Sequence, residues 1–267
     1  MPIQPAIHTT RISQDEFKAL SSEVMSHDFD IHNEFGRLFD ELIYKRELAT
    51  RLPGVALEVP IEVTHGSFAK TYFSDTLVHC RGLFEFKAVE PLHPRHRGLT
   101  RNYLLLFDLG HGKIVNLRPE RVEHKFVNCP TRLSDHRTPI VLDHRWNSQV
   151  EGAMDFRDCL MALINDWGAG LESALYEEAL CHLLRVNSAV EQRVPVYGRN
   201  GHVGNQAMRL VAPDVALRIT GFPDDSAGSQ QIKGFETQSR KLLKHTQLNA
   251  MHWANITHHR VTFITLS

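Results

Sequence analysis

The stretch "GLFEFKAVEP", residues 82–91, constrains the fold more than any other part of the chain. Leu83, Glu85, Lys87 and Val89 alternate with Phe84, Phe86 and Ala88, which is the period of an extended strand with apolar side chains on both faces. Such a strand belongs in the middle of a sheet that is covered on both sides. One face nevertheless carries an acid and a lysine, groups almost never fully buried unless paired. That contradiction asks for a chemical reason.

The surroundings predict an α/β order. Ile31, Phe35, Leu38, Phe39, Leu42 and Ile43 recur at helical spacing, so one amphipathic helix is expected from Ile31 to Leu52, ended by "RLPG". "LEVPIEV" then reads as a half-buried strand, with Leu57, Val59, Ile61 and Val63 on one face and Pro60 marking an edge. "TYFSDTLV" gives a second strand and "GLFEFK" a third. From Pro94, His96, Leu99, Tyr103 and Leu106 share a helical face, and "KIVNL" is a last strand. The order is helix, three strands, helix, strand.

The second half repeats that order, which predicts a tandem duplication. "WGAGLESALYEEALCHLL" mirrors "EFGRLFDELIYKRELATRL", with Gly168 and Tyr176 spaced as Gly36 and Tyr44 are. "VEQRVPVY" mirrors "LEVPIEV", "APDVALRI" mirrors "FSDTLVHC", "KHTQLNAMHW" mirrors "RHRGLTRNYL", and "RVTFITL" mirrors "GKIVNL". Shared α/β periodicity alone would produce some likeness, but five landmarks in one order argue against chance. The join is expected in the polar stretch "CPTRLSDHRTP", giving domains 1–135 and 136–267.

Bulk properties exclude several classes. Of 267 residues, 42% are hydrophobic and 23% charged, which suits a globular chain. A net charge of -1 gives no whole-molecule attraction to nucleic acid or to an anionic membrane, so any such contact needs a local patch. The four cysteines (Cys80, Cys129, Cys159, Cys181) form no C-x-x-C and read as reduced thiols of a cytoplasmic protein. No segment is long and apolar enough for a membrane span, and "MPIQPAIHTTRISQDEF" has no signal-peptide core. The 17 histidines lack paired metal-ligand spacing and read as scattered surface groups.

Asp75 and the Glu85-x-Lys87 pair offer the chemical reason. If their strands form an antiparallel hairpin, Asp75 comes up beside Glu85, and two converging carboxylates repel unless a cation lies between them. A hard divalent ion such as Mg²⁺ (or Mn²⁺) suits oxygen ligands and takes only one or two carboxylates from protein. Lys87, on the same face as Glu85, can orient or help deprotonate a water and offset charge on a phosphate. The set is complete for metal-assisted phosphodiester hydrolysis. The competing reading is a structural ion cluster in which Lys87 neutralises both carboxylates, although burial offsets much of the gain from such a pair.

This pattern resembles the D-…-E-x-K signature of the restriction-endonuclease-like PD-(D/E)XK superfamily, and more narrowly its GxxExxY family. The first repeat is similar to that family from about His32 to Asn128, through "FGRLFDELIY", "SDTLV" and "FEFKAVEPLHPRH". The resemblance implies two tandem restriction-endonuclease-like domains, each a central mixed sheet flanked by helices. It implies catalytic places for Asp75, Glu85 and Lys87, with Asp75, Glu85 and the Phe86 carbonyl on the metal and Glu41 assisting through an intervening water. His96, Tyr44 and Tyr103 match supporting positions, for which a packed tyrosine, a solvated Glu41 and a satisfied core histidine are the plainer readings. Leu38, Phe73 and Leu99 depart from the family pattern. In the second repeat, matching His245 to His96 puts Gly234 and Glu236 at the acid and lysine positions, and Ser173 at the helix glutamate's. With Asp214 left alone, that copy is read as degenerate and inactive.

The implied partner is nucleic acid, DNA above RNA. Arg95, Arg97 and Arg101, with Arg118, Arg121 and Lys125, would make a basic face beside the metal, diluted by Glu120 and Glu123. A non-catalytic scaffold binding nucleic acid or protein is the alternative, and the second domain is a candidate surface for self-association or a protein partner.

Overall fold

The computed structural model describes residues 2–184 and 192–267. The chain divides into two compact units, one of Met1–Thr64 with Ala69–Leu133, the other of Ser134–Ser267 with the short segment His65–Phe68. The fold is mixed α/β, with six α-helices among the described residues.

In the first unit, β1 (Ile3–Pro5) precedes the long helix α1 (Gln14–Phe35). Ser13 starts α1 with a capping box: its hydroxyl accepts from the Glu16 amide, and the Glu16 carboxylate accepts from the Ser13 amide at 2.8 Å. Gly36 stops it by turning to φ 70°, a conformation that favours glycine, and α2 (Glu41–Arg51) begins after Asp40. The single helix expected over 31–52 is therefore two helices. Of the apolar stripe behind that expectation, Ile31 is core and Phe35 packs against it, but the part beyond Gly36 is not buried. Leu38 is 79% exposed, Phe39, Leu42 and Ile43 are exposed too, and α2 buries Tyr44, Lys45 and Leu48 instead.

Two strands expected as continuous are also divided. "LEVPIEV" breaks at Glu58, whose φ is 51°, into β2 (Val55–Leu57) and β3 (Pro60–His65), which join different sheets. "TYFSDTLV" breaks at Ser74 and Asp75 into β4 (Phe68–Phe73) and β5 (Thr76–Val78). β6 (Gly82–Lys87), the crossover helix α3 (Pro94–Leu106), β7 (His111–Asn116) and the further strand β8 (Glu123–Asn128) complete the unit. The main sheet has the order β2-β5-β6-β7-β8, so β6 is its central strand. Only β6 and β7 run parallel, joined by α3, and the other neighbours are antiparallel. Phe84 and Phe86 pack with Phe17, Leu20 and Val24 of α1 and Tyr44 and Leu48 of α2 in one core. Each fully buried phenylalanine contributes roughly 1.5–3 kcal/mol. This burial fixes the register of β6, and period two then turns Glu85 and Lys87 to its other face.

The second unit runs β9 (Ile140–Arg145), α4 (Ala153–Trp167), α5 (Ser173–Leu183), β10 (Gln192–Gly198), β11 (Gly201–Met208), β12 (Leu210–Ala212), β13 (Val215–Thr220), α6 (Ser226–Thr246), β14 (Ala250–Ile256) and β15 (Arg260–Leu266). Val190 and Glu191 of the expected "VEQRVPVY" strand lie outside the described residues. The sheet order is β12-β13-β14-β15-β9. Successive pairs from β12 to β15 run antiparallel, parallel and antiparallel, the sequence of directions from β5 to β8, with α6 as the crossover.

Matching the sheets corrects the expected alignment. Asn116, opposite Lys87, bonds both main-chain groups of Val89 (3.1 and 2.8 Å), and Asn255, opposite Thr220, does the same to Phe222 (2.8 and 3.1 Å). Thr220 and Arg218 are thus the counterparts of Lys87 and Glu85. Gly234 and Glu236, expected there, are helical residues of α6, and "KHTQLNAMHW" ends α6 and opens β14 instead of matching α3. The match failed because α6, at 21 residues, outruns α3, at 13, and puts His245 in its last turn where His96 lies in the first.

Candidate active site

Asp75 sits immediately before β5, and the β5–β6 pairing of Thr76 with Phe84 brings it beside Glu85. Both carboxylates are buried, Asp75 at 8% and Glu85 at 2% exposure. One oxygen of Asp75 accepts from the Phe86 amide and the other from the Lys45 ammonium. Glu85 Oε1 lies 2.9 Å from Lys87 Nζ, which also donates to the Phe86 carbonyl. Glu41, on the first turn of α2, closes the cluster from its more exposed side, 3.3 Å from Lys87 and 3.6 Å from Lys45.

The electrostatics follow from burial. Desolvation pushes Glu85 up to about 7; Lys87 pulls it down, and the neighbouring Asp75 charge adds to the rise. Asp75 is also raised, by burial first, against the opposing pull of Lys45. For Lys45 and Lys87 burial disfavours the ammonium, yet the acids outweigh it and both stay above the usual lysine value. Lys87 is therefore a held cation here and not a ready base. His96 is pushed down by burial, and then by the Lys87 and Arg95 charges, and its Nδ1 accepts from the His93 amide at 3.2 Å.

The donor set fits a hard divalent cation in one respect. Glu85 Oε2 is buried without a hydrogen-bonding protein partner, on a side chain neighboured by the Asp75 carboxylate, while Lys87 bridges Glu85 Oε1 and the Phe86 carbonyl. In another respect two ammoniums already hold the acids, and among the described residues no three His, Cys, Asp or Glu side chains are placed to hold an ion. Lys45 and Lys87 stand between the acids, and a cation would have to displace an ammonium from Asp75.

The other expected residues are spread more widely. Tyr44 donates from its hydroxyl to the Gly36 carbonyl at 2.9 Å and accepts from the Phe39 amide, so it braces the α1–α2 turn. Tyr176 makes the same bond to Gly168 in the second unit. Tyr103 is buried edge-on to Tyr72. Arg95 and Arg97 are exposed, while Arg101 is half-buried with its Nε lacking a hydrogen-bonding protein partner. Arg118, expected in the basic face, instead donates to the carbonyls of Ala88 and Arg37. Lys45 was not anticipated. Its only sequence signal is the i,i+4 spacing from Glu41, which is common on solvated helices.

A central mixed sheet with one parallel crossover, carrying a carboxylate–lysine cluster on its middle strands, defines a nuclease-like α/β core. Residues 18–127, less than half of the chain, match the family model of the PD-(D/E)XK nuclease superfamily. No curated protein matches the sequence significantly. A crystal structure of the protein SSO0001 is similar over 43% of this chain at 19% identity, with a TM-score of 0.28. The match spans 63% of that protein's length.

Proposed function

We propose that the first unit is a divalent-metal-dependent nuclease of the GxxExxY type that hydrolyses phosphodiester bonds, with DNA as substrate. The observation that carries this reading is the buried Asp75–Glu85 pair with an unpartnered Glu85 Oε2 and an ammonium alongside. Asp75, Glu85 and the Phe86 carbonyl would hold Mg²⁺ or Mn²⁺, whose chemistry when bound is to polarise the phosphoryl oxygen. Lys87, held protonated by its acids, would stabilise charge on the phosphate and orient the attacking water. Glu41 lies on the cluster's open side, where it would accept a proton. Arg95, Arg97 and Arg101 on α3 would steer the backbone. The second unit is a degenerate copy, a reading supported by the matching strand directions and by the paired Tyr44–Gly36 and Tyr176–Gly168 bonds. Four free cysteines suit a cytoplasmic protein.

A non-catalytic scaffold is the second reading, favoured by one observation: Lys45 already occupies the Asp75 carboxylate. The test is cleavage of linear DNA by the full chain with Mn²⁺ or Mg²⁺, beside Asp75→Asn and Lys87→Met variants of unchanged circular dichroism. Cleavage that is lost in both variants is expected. Equal activity in all three proteins would assign it to a contaminant and leave the scaffold.

A further inference from the structure

We propose that the second unit binds a nucleic-acid phosphate between Arg209 and Arg218, at the place topologically equivalent to the first unit's carboxylates. Nucleic acid as the source of that phosphate rests on the function proposed above.

The charges of the two places are inverted. β13 carries Arg218 where β6 carries Glu85. Glu177 follows Tyr176 as Lys45 follows Tyr44, so an acid takes the lysine's position on the helix. Glu177 is 3% exposed, and its Oε2 accepts from the Ile219 amide at 3.1 Å, the counterpart of the Asp75 bond to Phe86. Its Oε1 is shared by Arg209 at 2.9 Å and Arg218 at 3.1 Å. Two guanidiniums on one carboxylate leave a net positive charge, whereas Asp75, Glu85 and Glu41 against Lys45 and Lys87 leave a net negative one. The first arrangement draws a cation; the second repels it and draws an anion.

Geometry supplies the room. Both arginines line a cleft of about 140 Å³, together with Gln206, Gln238 and Ser239. No acid lines it. Each guanidinium offers five N–H donors, and the Glu177 pairs engage one terminal nitrogen of each. The Arg218 side chain is 51% exposed and the Arg209 side chain 29%, so the remaining donors are open to a ligand. Tetrahedral phosphate oxygens suit that fork, and the neutral amides and hydroxyl would take the other oxygens. A purely structural cluster would instead need both arginines only to neutralise Glu177.

Glu177→Gln separates the two ideas, because it frees both arginines while an amide oxygen still accepts from Ile219. Binding of a fluorescein-labelled DNA duplex by the full chain is measured in EDTA, so that cleavage plays no part, with inorganic phosphate as a second probe. Arg218→Ala is expected to weaken DNA binding and to reduce the slope of log K against log salt by about 1. Glu177→Gln is expected to tighten it. Unchanged affinity and slope in both variants would overturn the proposal, as would variants that alter phosphate binding but leave DNA binding alone. Wild-type protein that binds DNA but cuts none under Mn²⁺ would refute the nuclease and leave this site standing.

Discussion

Lys45→Met tests whether the ion cluster is held together as the geometry implies. Lys45 is 6% exposed, pairs with Asp75, itself 8% exposed, and lies 3.6 Å from Glu41. Two unit charges about 4 Å apart interact by roughly 4 kcal/mol at an effective dielectric of 20. Stripping one partner from a buried pair costs about 3–5 kcal/mol, since the other is left charged and desolvated. Methionine keeps the volume, so packing changes little. Asp75 can escape by taking a proton, and its carboxyl is already raised by burial. An acid raised on folding favours the native state at low pH and loses that contribution as pH rises through its folded value. Without Lys45 that value climbs further, so the deficit should be full at pH 8 and shrink on acidification. The recovery is at most about 1.4 kcal/mol per pH unit. Amide hydrogen exchange of the β6 strand at pH 8 and 5.5 reads the opening free energy, with β13 of the second unit as internal control. A deficit under about 1 kcal/mol at pH 8, or an equal one at both pH values, would refute the reasoning.

Two further changes follow from buried polar groups. Asp28 is 1% exposed, and desolvation raises it from 3.8 to about 8, with Lys113 only partly opposing. The folded state therefore holds a proton that the unfolded chain has released, and stability falls as pH rises between those values. Asp28→Asn should flatten that dependence and stabilise the protein at pH 7 by a few kcal/mol, read by urea unfolding followed by circular dichroism; an unchanged pH profile would contradict it. Asn116→Leu removes both bonds to Val89 and leaves two main-chain groups unpaired after β6. A loss of about 2–4 kcal/mol is expected in the same assay, and a loss under about 0.5 would mean that water replaces the side chain.

Local chemistry in the sequence was enough for the central elements. Alternation with phenylalanine on one side and Glu-x-Lys on the other determined that β6 is a middle strand, because only a doubly covered strand can be apolar on both faces. The Gly36 and Tyr44 spacing, repeated at Gly168 and Tyr176, registered a real bond in both units. Breaks at Gly36, Glu58 and Asp75 were hidden, since a helical or alternating pattern continues across a residue whose backbone turns. Helix α1 was missed although Ser13-x-x-Glu16 marks its start, a signal that short motifs give too often to be decisive alone.

Tertiary structure decided what periodicity cannot carry, namely which charged groups meet. Lys45 reaches Asp75 across thirty residues of chain because α2 packs against the sheet on Tyr44 and Leu48. Glu177 gathers Arg209 and Arg218 by the corresponding packing of α5 on β13. A sequence pattern fixes which face a side chain takes within its own element. Its partner is fixed only when two such faces close on one core, and the sign of the charge at that closure separates the two halves of this protein.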